Sequence, residues 1–257
     1  MNFLDQNQID KYHKDGFLII RNVLSENECE DLKKVLKEEI RKGKDSLQKS
    51  LQEPKKPIDL NKIGDLPRKI HKGILQDIAY RNSKFMLLAK DPRLVDIIDQ
   101  LFEEKIKKYY LYRSTSIYKN SEITEPTVWH QDMVYWKGKP NKMTIWIPLN
   151  KTTEQTGSMH YIPGSHKELY EKILRDGHSR KDIKGYWKLT DEKIKNESKK
   201  VIAELEKGDI VIHSACTMHG STKNVLAQER YSLIFTYQPS TDISHHRDGL
   251  PELIKKQ

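Results

Sequence analysis

The chain has 257 residues, 36% of them hydrophobic and 32% charged, with a formal net charge of +9. That length suits a single β-rich domain with helical additions, and no apolar run approaches the ~18 residues of a membrane span, which argues against a membrane partner. Two cysteines, Cys29 and Cys216, are too few for a disulfide framework, and with no basic-then-apolar leader in Met1 to Gln6 they favour a reducing, cytoplasmic location. The first predicted element is a short strand, Phe17 to Ile20. Ser25 and Glu28 then form a capping box that opens a helix, whose buried stripe is Leu32, Val35, Leu36 and Ile40. A second helical region spans about Ile74 to Phe102 and restarts at Asp91-Pro92, where proline suits a first helical turn.

From Lys107 the pattern turns strand-like. Short β-rich runs at Tyr109 to Tyr118, Met143 to Leu149, Ser158 to Ile162, Gly208 to His213 and Arg230 to Gln238 are separated by turn residues, the signature of a sandwich or barrel. The expected fold is α+β, mainly β: a jelly-roll core with N-terminal helices packed on one sheet. One domain covers 1–257, with a helical part at about 1–105, the jelly roll at about 106–240 and an insertion or lid at about 167–206. Most of the basic excess is mixed with acids, as from Glu30 to Glu39, which reads as a solvated helix face and disfavours nucleic acid as a partner. The densest uncompensated run, His178 to Lys184, is a candidate to receive an anionic part of a small substrate.

Chemistry concentrates in His130-Gln131-Asp132. On a strand, residues i and i+2 share a face, so an imidazole and a carboxylate stand side by side. A second histidine from a distant strand completes two histidines and one carboxylate, the cradle of non-haem Fe(II) oxygenases. Spacing alone leaves His213 and His219 both open for that role. On the last strand Tyr231, Leu233, Phe235 and Tyr237 share one face and Arg230, Ser232, Ile234 and Thr236 the other. An arginine on an inward face needs an anionic partner, and its fork matches a carboxylate.

Four ordered motifs carry a resemblance: Thr127 to Trp136 around the His-Gln-Asp, Thr156 to His166 with its Ile-Pro-Gly-Ser-His, Lys207 to His213 with its Gly-Asp, and His219-Gly220-Ser221 with Arg230 eleven positions after the histidine. In this order they resemble the phytanoyl-CoA dioxygenase family of Fe(II)- and 2-oxoglutarate-dependent oxygenases, over residues 9 to 240. The resemblance implies a double-stranded β-helix in which His130, Asp132 and His219 bind Fe(II). It implies that Arg230, Ser221, Trp146 and Thr115 contact 2-oxoglutarate, and that O₂ is the oxidant for hydroxylating a small-molecule metabolite with release of succinate and CO₂. The oxidising species is iron-borne, so no separate side chain is assigned a catalytic role. Halogenating relatives replace the carboxylate ligand by a small residue; Asp132 fills that position here and implies oxygenation. Tyr135 and Trp136, following the metal ligands, are candidates for the substrate pocket. Two other readings stay open: a catalytically silent jelly-roll binding protein, and a cupin-like metalloenzyme that uses no 2-oxoglutarate.

Overall fold

A computed structural model describes residues 3–50, 70–71, 73–102, 108–134, 136, 139–168, 200–226, 228–241 and 252–255. Tyr135, the basic run at 178–184 and most of the expected insertion lie outside the described residues.

The chain opens with α1 (Gln6–Asp15), fixed at its start by a capping box between Asp5 and Gln8 and ended by Gly16 in the left-handed conformation. Strand β1 (Phe17–Ile20) follows, then α2 (Glu26–Ser50). At the start of α2, Glu28 accepts from the backbone of Ser25 at 2.7 Å and pairs with Arg93 at 2.6 Å. Arg93 also holds Asp91 at 2.7 Å, so one guanidinium ties the N-termini of two helices together. The next elements are β2 (Ile70–His71), β3 (Ile74–Gln76), α3 (Ile78–Arg81), α4 (Ser83–Ala89) and α5 (Pro92–Leu101), the last with Pro92 in its first turn and Asp91 as its cap.

Here the structure corrects the sequence: Ile74 to Gln76 form a strand, not the start of a helix. Three residues are too few for periodicity to separate the two. What decides is the long strand β4 (Lys108–Lys119), whose edge pairs Leu75 with Ser116 and leaves Leu75 fully buried.

The remaining strands are β5 (Met143–Pro148), β6 (Met159–Tyr161), β7 (Val201–Ile202), β8 (Ile210–Ser214), β9 (His219–Ser221), β10 (Arg230–Pro239) and β11 (Glu252–Lys255). They build a jelly roll. The large sheet runs β1-β8-β5-β10-β4-β3-β2, with β11 added on β4, and the small sheet runs β7-β6-β9; every pairing is antiparallel. Residues 200–206, grouped with the insertion from sequence, belong to the jelly roll: Val201–Ile202 pair with β6, Leu205 bridges to Thr152, and Ala203 and Leu205 are buried with the inward cluster.

The two faces of the large sheet have different work. Outward, Tyr231, Leu233, Phe235 and Tyr237 of β10 and Ile145 and Ile147 of β5 pack with Leu36, Phe85, Leu94 and Ile98 of the helices in the main core. Inward, Trp146 and Val211 meet Phe17, Met159, Tyr161, Ala203 and Leu205. The same alternation points Arg230, Ser232 and Thr236 into the space between the sheets, and this positions the polar site.

Candidate metal centre

His130 and His219 are joined through their backbones before their side chains meet. The segment from Thr127 to His130 runs beside β9, and His130 and His219 exchange both N–H···O bonds at 2.9 Å. Gly220, the next residue on β9, is squeezed between Thr127 and β6: a Cβ there would lie 2.7 Å from the Thr127 carbonyl oxygen and 2.7 Å from Nε2 of His160. Only glycine leaves room for both the Thr127 carbonyl and the His160 ring at this distance.

After His130 the chain leaves the sheet. Asp132 opens a 3-10 turn, Asp132–Val134, so the expected regular strand through the His-x-Asp pair is replaced by a single bridge at His130. The cause lies in Gln131, which turns away from the site, is fully buried and donates its amide to the carbonyls of Cys216 (2.5 Å) and Glu168 (2.6 Å). His130 and Asp132 still converge, with Nε2 and Oδ1 3.6 Å apart, and one ligand atom from each of His130, Asp132 and His219 lies within 4.8 Å of the others. Among the described residues this is the group able to hold a metal ion.

Both rings are aimed by the backbone. Nδ1 of His130 lies 2.9 Å from the Val128 carbonyl and Nδ1 of His219 2.8 Å from that of Thr217, so each Nδ1–H donates to the residue two before it and Nε2 is left for the metal. Burial, with His130 and His213 as neighbours, keeps the His219 imidazole neutral well below the usual histidine range. Burial opposes ionisation of Asp132, but the neighbouring His130 and His213, then His219, outweigh it and hold the carboxyl well below its ordinary value. Two imidazoles and a carboxylate suit a divalent first-row metal. His213 sits on the other side of the carboxylate, its Nε2 3.7 Å from Oδ2 of Asp132 and its Nδ1 3.4 Å from the Tyr161 hydroxyl. It therefore backs the carboxylate, and the three-residue group contains His219.

Deeper in the barrel stand two buried cations. Arg230, 2% exposed, donates to the Gly157 carbonyl, lies 5.7 Å from the ring centre of Trp146, and has an Nε with no hydrogen-bond partner. Burial alone pushes its pKa down to about 10. Opposite it in register on β4 is Lys119, also 2% exposed. Its ammonium donates to Oγ of Ser221 (2.9 Å) and to the Thr222 carbonyl (2.8 Å). Burial, then the neighbouring Arg230, drive Lys119 down to about 7, with Glu125 opposing weakly. No ion pair joins an acid to either cation among the described residues. Burying an unpaired charge is costly, so this end of the barrel fits an anion with two carboxylate oxygens to share.

Ser221 links the two regions: it lies two residues beyond His219 on β9, and its hydroxyl oxygen also accepts from the Thr127 amide at 2.8 Å. Trp146 and Thr115 are both buried on the inward face, directly across Ile234 of β10. Lys119 escaped the sequence reading. The available signal was alternation along β4, which puts residues 113, 115, 117 and 119 on one face with arginine and lysine at its two ends.

At the opposite end from Lys119, half-buried Trp136 packs on Tyr112 with ring centres 5.2 Å apart and touches the cluster of Met133, Ala215 and Cys216. His160, read from sequence as a turn or surface residue, is instead buried, with its ring stacked on Trp129 at 3.9 Å. The stack forms because β6 presents His160 on the face away from Tyr161.

A sequence profile of the phytanoyl-CoA dioxygenase (PhyH) family matches residues 12–232. A phytanoyl-CoA dioxygenase domain-containing protein 1 homolog of Dictyostelium discoideum is 27% identical over 251 residues, covering 89% of each chain. An ectoine dioxygenase of Bordetella bronchiseptica is 24% identical, over 91% of this chain and 75% of its own. Among solved structures, EctD from S. alaskensis with bound Fe superposes with a TM-score of 0.71 at 18% identity, over 99% of this chain and 88% of that one. With the profile spanning most of its length and the fold agreeing, the chain belongs to the phytanoyl-CoA dioxygenase family.

Proposed function

We propose that the protein is an Fe(II)- and 2-oxoglutarate-dependent dioxygenase that hydroxylates a small-molecule metabolite, releasing succinate and CO₂. The observation that carries this reading is the pairing of a His-Asp-His cluster with two buried basic residues, Arg230 and Lys119, that no acid pairs among the described residues. The names of relatives support it: besides the ectoine dioxygenase, an L-proline trans-4-hydroxylase of Streptomyces griseoviridis is 26% identical over 66% of this chain.

His130, Asp132 and His219 would hold the iron through two Nε2 atoms and a carboxylate oxygen, with Thr217 and Val128 fixing the rings. Iron bound there supplies activation of O₂ coupled to decarboxylation of the oxo acid. Arg230 receives the far carboxylate of 2-oxoglutarate through its fork, Ser221 and Lys119 bring further donors to the same end, and Trp146 and Thr115 wall the passage between. A dry interior strengthens each of these contacts and keeps solvent from the reacting centre. A carboxylate at position 132 occupies the place a halide ligand needs, so the product is oxygenated or dehydrogenated even in high chloride.

Anaerobic addition of Fe(II) and 2-oxoglutarate should produce a metal-to-ligand charge-transfer band, and metabolite-stimulated succinate formation should require both. Single replacement of His130, Asp132 or His219 by alanine should remove the band. A wild-type protein that turns substrate over without 2-oxoglutarate would make it a cupin-like enzyme of another kind, and one that binds metal but never forms succinate would leave only a binding role.

A further inference from the structure

We infer that Arg113 is the anchor for a carboxylate on the primary substrate, so that the substrate class is small carboxylic acids; this rests on the dioxygenase reading above. The starting observation is a defect in the register between β4 and β10. Thr236 pairs with Arg113, but the next residue, Tyr237, pairs with Leu111, which leaves Tyr112 as an extra residue on β4. Such a bulge breaks the alternation and sends two consecutive side chains to one face, a device used beside active sites to re-aim a side chain.

The neighbours agree. Leu111 packs into the main core on the helical side, and Ser114 also faces the helices, accepting from the Ala79 amide. Between them, Tyr112 meets Trp136 and Arg113 lies with Thr115 on the inward face, its Nε–H donating to the Thr115 hydroxyl at 3.0 Å. That bond fixes the plane of the half-buried guanidinium.

The place of Arg113 sets its role apart from that of Arg230. Cross-strand pairs run Arg113, Thr236, Thr144, His213 across the sheet, and the Thr144 hydroxyl lies 3.1 Å from that of Thr236 and 3.5 Å from Asp132. Arg113 is thus on the row that underlies the metal cluster. Lys119 is six residues further along β4, about 20 Å backbone to backbone at ~3.3 Å per residue, with Arg230 across from it on β10. One face of β4 therefore carries a cation at each end, Arg113 level with the metal cluster and Lys119 at the far end, where Arg230 reaches back toward the Trp146 ring; the far pair matches the oxo acid and leaves Arg113 for another carboxylate. Lys142, buried and with its ammonium 5.0 Å from the ring centre of Tyr112, adds positive potential at the near end. A guanidinium beside Tyr112 and Trp136 suits a monoanionic carboxylate on a compact apolar body, held by two parallel hydrogen bonds.

The test titrates matched acids and amides (benzoate and benzamide, hexanoate and hexanamide, proline and prolinamide) into the anaerobic Fe(II)·2-oxoglutarate protein while following the charge-transfer band. At least one acid should shift the band at millimolar concentration or below while its amide does not. Arg113→Gln should weaken that acid by about 30-fold or more, the range for losing one partner of a buried charge pair. Arg113→Lys should recover part of it, and the 2-oxoglutarate midpoint should stay in place as a check on folding. Acids and amides acting alike, no acid acting at all, or an Arg113→Gln protein with the wild-type midpoint for the acid overturns the inference. Absence of the band in wild type with 2-oxoglutarate alone defeats the dioxygenase reading instead.

Discussion

The inward burial of Arg230 was legible because its face of the last strand was polar; that of Lys119 was not, because alternation along β4 names the face of a strand-end lysine but not its burial. Arg230→Ala should raise the 2-oxoglutarate midpoint roughly 30- to several-thousand-fold with Fe(II) binding retained, and Arg230→Lys should restore only part, since the planar fork is lost. Lys119 predicts a pH dependence. Its pKa falls from 10.5 to about 7 in the folded protein. Between those two values the unfolded chain holds the extra proton, so stability of the ligand-free protein should rise with pH across that window. A bound carboxylate favours the charged amine. Binding of 2-oxoglutarate near pH 8 should therefore take up a proton and weaken as pH rises, measurable by calorimetry in buffers of different ionisation enthalpy. Lys119→Met should abolish the uptake; an unchanged proton count in that variant would place the coupling elsewhere.

The strands of the large sheet could be read in the sequence because each of β4, β5, β8 and β10 is long enough for alternation to show. Elements defined by their partners could not. Strand β3 exists because β4 offers it an edge, the 3-10 turn at Asp132 exists because Gln131 is tied down by Cys216 and Glu168, and the bulge at Tyr112 leaves no mark in composition. The same dependence makes β9 sensitive. Gly220→Ala must push apart the Thr127 segment and His160, at about 1–3 kcal/mol for overpacking. Because the displaced backbones carry His130 and His219, Fe(II) affinity should fall together with the melting temperature. If the melting temperature falls while the metal titration is unchanged, the ligands are held independently of this packing.

At the scale of the whole molecule, the large sheet separates stability from chemistry: its outward face builds the core with the helices and its inward face builds the site. Leu233→Ala, on the outward face and fully buried, should cost about 2–5 kcal/mol yet leave the 2-oxoglutarate midpoint of the folded protein where it was. The backbone bridge between His130 and His219 extends this separation to the metal itself. Two of the three proposed ligands are registered by peptide hydrogen bonds that do not involve the ion, so the ion is not needed to organise the fold, unlike a zinc finger, where binding energy is folding energy. Chelator-treated protein should keep its circular dichroism and unfold cooperatively. A site preformed in this way offers fixed ligand types in a fixed geometry that more than one divalent first-row ion can accept, so intrinsic affinity alone does not settle its occupant. Which ion the protein carries is then decided by the metals its surroundings supply.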